Sequence, residues 1–173
     1  MTTPPDILIQ EVAPRDGLQI ESRWVETGDK IRLIDSLSAI GFKRIEVSSF
    51  VSPKAVPALR DAAEVFAGIA RSPGTVYTAL VPNRKGAELA LAARADELNF
   101  VMSASETHNR ANMNMTRDRS LTSLGEVVRA ARDAGIPVNA TIATAFGARS
   151  KETNLPKRSL ASSSDIAISA STV

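Results

Sequence analysis

Two rhythms of apolar residues alternate along the chain. Short, largely apolar runs at residues 7–12, 44–50, 75–81, 98–102 and 138–144 have the length and branching of buried β-strands. Between them apolar residues return every third or fourth position, the spacing that lays one stripe along a helix. Ile31, Ile34, Leu37 and Ile40 make the first stripe, with Thr27 as its expected cap and Gly41 as its stop. Ser52-Pro53 reads as a helix start with proline at the first helical position, and Val56, Leu59, Ala63 and Phe66 supply the buried face. Asn83 is placed to cap an alanine-rich helix that runs through Leu91. A polar stretch follows Met102, and then Leu121, Leu124, Val128 and Ala131 mark a last helix that Gly135 closes.

A strand–helix unit repeated in this way predicts parallel strands joined by right-handed helical crossovers. The strand ends carry polar groups: Arg15 and Asp16, Glu46 with Ser48 and Ser49, Asn83, and Ser103 with Ser105 and Glu106. In such folds these ends share one face, where active sites collect. A complete eight-stranded barrel takes about 250 residues, and this chain has 173. The expected fold class is α/β, a partial (β/α)8 TIM barrel with the first five strands and four helices, followed by an irregular C-terminal tail.

Composition narrows the class without naming the chemistry. The chain is 43% hydrophobic but only 4% aromatic, so its core must be built from Ala, Val, Leu and Ile. It lacks cysteine, which removes disulfide frameworks and thiolate metal sites. The first residues have neither the basic nor the apolar region of a signal peptide, and no apolar run reaches membrane-spanning length. A cytoplasmic protein without membrane or nucleic-acid partners is expected. The sequence pI of 9.2 is a local effect. Arg149, Lys151, Lys157 and Arg158 face only Glu152 and Asp165 in the tail, which carries the whole net charge of +2. The tail also holds seven serines against eleven in the preceding 147 residues, without sustained periodicity, although Ile166 and Ile168 hint at a brief strand.

The candidate chemistry sits at the end of the first strand. In Glu11-Val12-Ala13-Pro14-Arg15-Asp16-Gly17-Leu18-Gln19 an arginine and a carboxylate enter a glycine turn, as an anionic acyl substrate would require. Three further runs stand in order behind it: Ile45-Glu46-Val47-Ser48-Ser49-Phe50-Val51-Ser52-Pro53-Lys54, Val81-Pro82-Asn83-Arg84-Lys85-Gly86, and Ser103-Ala104-Ser105-Glu106-Thr107-His108-Asn109. With Thr144-Ala145-Phe146-Gly147, these resemble the hydroxymethylglutaryl-CoA lyases over roughly residues 7–147. The resemblance implies a barrel that binds Mg2+ or Mn2+, acts on a small-molecule acyl-CoA substrate, and is homodimeric at full length. The implied reaction cleaves 3-hydroxy-3-methylglutaryl-CoA to acetyl-CoA and acetoacetate, a step of leucine degradation. It casts Arg15 as the catalytic cation at the enolate oxygen, Asp16 as a metal ligand, and Glu46 as an essential acid beside the arginine. Gln19 and Asn83 become substrate-binding candidates, Asn83 with a helix cap as its equal alternative. Glu46 has the alternative of only holding Arg15, and His108 is expected to be a surface residue of the fourth loop.

The resemblance breaks after Gly147. There the family continues Cys-Pro-Phe or Tyr-Glu-Gly, and later supplies two histidine ligands, an asparagine ligand and a loop cysteine. With a chosen set of synonymous codons for Ala148 to Glu152, a one-base shift of frame restores Cys-Pro-Phe-Glu-Gly. A frameshift is therefore the expected origin of residues 148–173 as a non-homologous segment beside a domain of residues 1–147, and the DNA across the Gly147 codon tests it. On this reading the chain by itself has little or no lyase activity, and its fifth strand presents an unpaired edge. Two alternatives stand beside the lyase: a condensing enzyme of the isopropylmalate or homocitrate synthase type, and a non-catalytic partner of a full-length paralogue.

Overall fold

A short first strand starts a sheet that grows in one direction. The computed structural model describes residues 8–145 and the backbone of residues 166–171. Its strands are β1 (Gln10–Glu11), β2 (Arg44–Ser49), β3 (Val76–Leu80), β4 (Glu97–Ser103), β5 (Val138–Ala143) and β6 (Ile166–Ser171). They pair in chain order, every pair parallel. The helices are α1 (Thr27–Ala39), α2 (Ala62–Gly68), α3 (Arg84–Ala92), α4 (Glu106–Met113) and α5 (Arg117–Asp133). The expected half-barrel of parallel strands with crossover helices is what the chain forms.

Alternation along each strand sorts the two faces of the sheet. Ile45, Val47, Tyr77, Leu98, Phe100 and Val138 belong to the buried cluster beneath the helices, against Ile34, Phe66, Ala87 and Val127. With so few aromatics, alanines let the helices approach closely, and Ala79, Ala87, Ala90 and Ala131 are fully buried. The buried Tyr77 hydroxyl donates to Ser38 Oγ at 2.9 Å and accepts from the Ser72 amide at 2.9 Å, so its burial leaves no polar group unpaired. Gly41 and Gly135 follow α1 and α5 with φ of 98° and 70°. The Phe42 amide reaches back to Leu37 O and the Ile136 amide to Ala131 O, closing both helices as the sequence predicts.

Several expected details are corrected. Thr27 is the first residue of α1 rather than its cap, and its hydroxyl donates to Asp61 Oδ2 at 2.7 Å. Ser52-Pro53 starts no helix. Pro57 disfavours helical geometry at Val56 (φ −132°, ψ 81°), a 3-10 turn spans Pro57–Leu59, and α2 begins only at Ala62. The polar stretch after β4 contains α4, capped by Ser105 Oγ, which accepts from the His108 amide at 3.2 Å. The hint of a strand at Ile166 and Ile168 is realised as β6, so β5 is not an unpaired edge. Residues 1–7, 146–165 and 172–173 lie outside the described residues, and with them Phe146, Gly147 and most of the segment read as an irregular tail.

The inner face of the sheet is polar. At the amino ends of its strands Arg44 Nη2 pairs with Glu97 Oε2, while Glu97 Oε1 is buried without a partner among the described residues. Burial pushes the Glu97 carboxyl above its ordinary value of 4.5, against the opposing pull of Arg44. The folded chain thus holds this proton more tightly than the unfolded chain does. The group's contribution to stability is full below 4.5 and is lost as pH rises through the raised folded value. Glu97→Gln is expected to flatten that slope, so the urea midpoint of the variant varies less than the parent's between ~pH 4.5 and ~pH 7. Parallel curves for the two proteins would show that Glu97 titrates normally.

Candidate functional site

The turn after β1 is wound by its own backbone. The amides of Arg15 and Asp16 both donate to Val12 O, at 3.0 and 2.7 Å, and Ala13–Gly17 forms a single π-helical turn. Pro14, buried near the start of that turn, presets the backbone angle it needs. The Arg15 side chain is thereby turned across to β2, where Nε donates to Glu46 Oε1. Its Nη1 donates to Asp16 Oδ1 at 2.5 Å.

Glu46 is the hub of this arrangement. Its Oε2 accepts from Asn99 Nδ2 of β4 and, at 3.4 Å, from Gln10 Nε2 of β1. Asn99 Nδ2 also donates to Thr78 Oγ1 of β3 at 3.0 Å. Each of the first four strands therefore sends one polar side chain inward to the same layer. The Glu46 side chain is 4% exposed, Arg15 16% and Asp16 61%. Both Glu46 oxygens are engaged, one by the guanidinium and one by amide nitrogens. Arg15 Nη2 has no hydrogen-bond partner among the described residues.

The other sequence candidates separate. Asp16 stands beside Arg15 at the surface. Gln19, half-buried, lines a cavity of about 490 Å³ that also touches Arg23, Trp24, Pro57 and Arg60. Asn83 is exposed, and its Oδ1 accepts from the Gly86 amide at 3.0 Å, so it caps α3 and does not join the Arg15 layer. Ser48 and Ser49 are buried within β2, and the Ser52 carbonyl accepts the Ala55 and Val56 amides in a turn instead of capping a helix. His108 lies on α4 rather than in a loop; it is half-buried, with Nδ1 lacking a partner among the described residues. Among the described residues no group of three or more His, Cys, Asp or Glu side chains is gathered that could hold a metal ion. Asp16 alone, already bonded to Arg15, does not make a divalent-cation site.

Gln10, Thr78 and Asn99 belong to the site although no motif singles them out. Their signal was strand alternation: Arg44 and Glu46, or Glu97 and Asn99, are polar residues two apart in otherwise apolar runs, which places them on one face. Among the described residues no helix is long and apolar enough to cross a membrane.

The family model described as HMGL-like matches residues 6–162. The hydroxymethylglutaryl-CoA lyase of Bacillus subtilis is 48% identical over 147 residues, 85% of this chain and 49% of that protein. A 3-hydroxy-3-isohexenylglutaryl-CoA/hydroxymethylglutaryl-CoA lyase of Pseudomonas aeruginosa is 46% identical over 147 residues, again 85% of this chain and 49% of its own length. Among solved structures, an HMG-CoA lyase of Acinetobacter baumannii in complex with coenzyme A and 3-methylmalate superimposes with a TM-score of 0.81 at 52% identity. That match covers 88% of this chain and 50% of the other. The chain spans about half the length of the curated relatives it matches.

Proposed function

Because the chain belongs to the HMGL-like family, we propose that it carries the enolate-stabilising part of a carbon–carbon lyase site for 3-hydroxy-3-methylglutaryl-CoA. One observation carries this reading: a guanidinium fixed by a buried carboxylate, with one nitrogen unbonded among the described residues, at the carboxyl end of parallel strands.

The chemistry asks for that group. Transfer of the tertiary hydroxyl's proton to a base breaks the adjacent carbon–carbon bond, releases acetoacetate and leaves the electron pair on the thioester as an enolate, whose carbon then takes up a proton to give acetyl-CoA. Arg15 meets the negative charge on the enolate oxygen. A preorganised donor of this kind is worth about 10²–10³ in rate. Glu46 keeps the guanidinium plane fixed, so little reorganisation is needed when the charge appears. The cavity beside Gln19, with Arg23 and Arg60 in its walls, offers cationic surface to the phosphates of the coenzyme A portion. The relative that also takes an isohexenyl substrate supports acyl-chain tolerance as a property to measure. A divalent ion on Asp16 would need ligands beyond the described residues, so the roles assigned above are confined to the chain's own side chains.

The test is a chimera in which the corresponding segment of the Bacillus subtilis relative is replaced by residues 8–145 of this chain. Release of acetoacetate from 3-hydroxy-3-methylglutaryl-CoA is expected, with a loss of at least about 10² in kcat on Arg15→Ala. A folded chimera that instead condenses acetyl-CoA with a 2-oxo acid, or cleaves the substrate equally well without Arg15, would overturn the reading.

A further inference from the structure

A second polar cluster lies apart from the Arg15 layer. Lys30, in the first turn of α1, is only 3% exposed. Its Nζ donates to Asp61 Oδ1 at 2.6 Å and to Ala58 O at 2.7 Å, and it sits 4.0 Å from the centroid of the Trp24 ring. The second oxygen of Asp61 accepts from Thr27 Oγ1 at 2.7 Å. The Arg60 guanidinium packs on the same tryptophan, 3.6 Å from its centroid. One ammonium therefore joins three segments: the stretch after the Arg15 turn through Trp24, the helix α1, and the β2–α2 connection through Ala58 and Asp61.

Those first and last segments are the two walls of the cavity beside Gln19. Gln19, Arg23 and Trp24 line one side, and Ala55, Pro57 and Arg60 the other. A buried ion pair is a weak source of stability, because desolvating both charges offsets most of their attraction. What this pair supplies, together with the Arg60–Trp24 contact, is the spacing between the two walls. We propose that Lys30 is a positioning residue which, through Asp61, Ala58 and Trp24, fixes the width of the cavity that receives the phosphate-bearing carrier of an acyl thioester. The carrier rests on the function proposed above; the positioning does not.

The experiment uses the full chain, with coenzyme A as the probe in isothermal titration. Trp24 is the sole tryptophan of the chain, so acrylamide quenching of its fluorescence reports the wall directly. Lys30→Met with Asp61→Asn removes both charges together and is expected to keep the urea midpoint near the parent's. Loss of preorganisation should weaken coenzyme A binding about tenfold and raise the quenching constant about twofold. A folded double variant with parental quenching and parental affinity overturns the proposal. If the parent binds no coenzyme A but the double variant is more strongly quenched, Lys30 positions the wall and the acyl-CoA reading fails. If the parent binds none and quenching is unchanged, both fail. Should the double variant not fold, Lys30→Arg keeps the charge but cannot place one compact donor on both acceptors, and the same two readouts decide.

Discussion

Glu46→Ala lowers the unfolding free energy by about 3 kcal/mol, toward the lower end of the range for breaking a buried ion pair because Arg15 is partly solvated. The loss has three parts. Arg15 Nε is deprived of its carboxylate partner, Asn99 Nδ2 and Gln10 Nε2 each lose one acceptor and keep Thr78 Oγ1, and a cavity opens where the Glu46 side chain was buried. An unpaired buried donor is more expensive than the bond was worth, which is why one truncation reaches so far. Glu46→Gln keeps an acceptor oxygen for one of the two sides and is expected to lose less than half as much. Equilibrium unfolding in urea measures both. A Glu46→Ala protein within about 1 kcal/mol of the parent would mean that the inner layer is not a connected network.

Gly86→Ala is the second large effect, and its sign is the informative part. Helix propensity alone favours alanine over glycine by about 1 kcal/mol. Gly86, however, lies in the first turn of α3 where the helix meets the end of β2, and a Cβ there would stand 2.7 Å from Phe50 O and 2.9 Å from Pro82 Cδ. One of these is backbone and the other a ring, so neither can swing aside. Forcing the helix off the sheet costs about 1–3 kcal/mol and disturbs the Asn83 cap that the Gly86 amide completes. Sterics should win, and the thermal midpoint should fall by about 2–4 °C for each kcal/mol lost in a chain of this size. A raised midpoint would show that the contact relaxes freely.

Different parts of this protein were legible to different depths. The parallel sheet and its crossover helices could be read from the change of apolar period alone, since strand and helix impose incompatible spacings on the same buried surface. The stops at Gly41 and Gly135 were legible because each helix end needs a left-handed residue there. The start of α2 was not, because the proline that decides it is Pro57 and not Pro53, and both residues suit a first helical position. Helix α4 was hidden because its residues are nearly all polar; it is held by the Ser105 cap and by Asn109, whose Oδ1 accepts the Ser103 amide and whose Nδ2 donates to Met115 O and Ser120 Oγ. The family resemblance brought Arg15, Asp16 and Glu46 forward together, and the fold unites Arg15 with both carboxylates while assigning Asn83 to a helix cap.

The sequence by itself determined the class of fold, the order of its elements and the identity of the cationic turn, because each depends on neighbours along the chain. Only the tertiary structure decided that Glu46 pairs with Arg15 in a layer shared with Gln10, Thr78 and Asn99, and that Lys30 meets Asp61 and Ala58. Those contacts join residues tens of positions apart. Which strand lies beside which, and how far the connecting loops fold back, is settled by burial of the whole sheet and not by any local pattern.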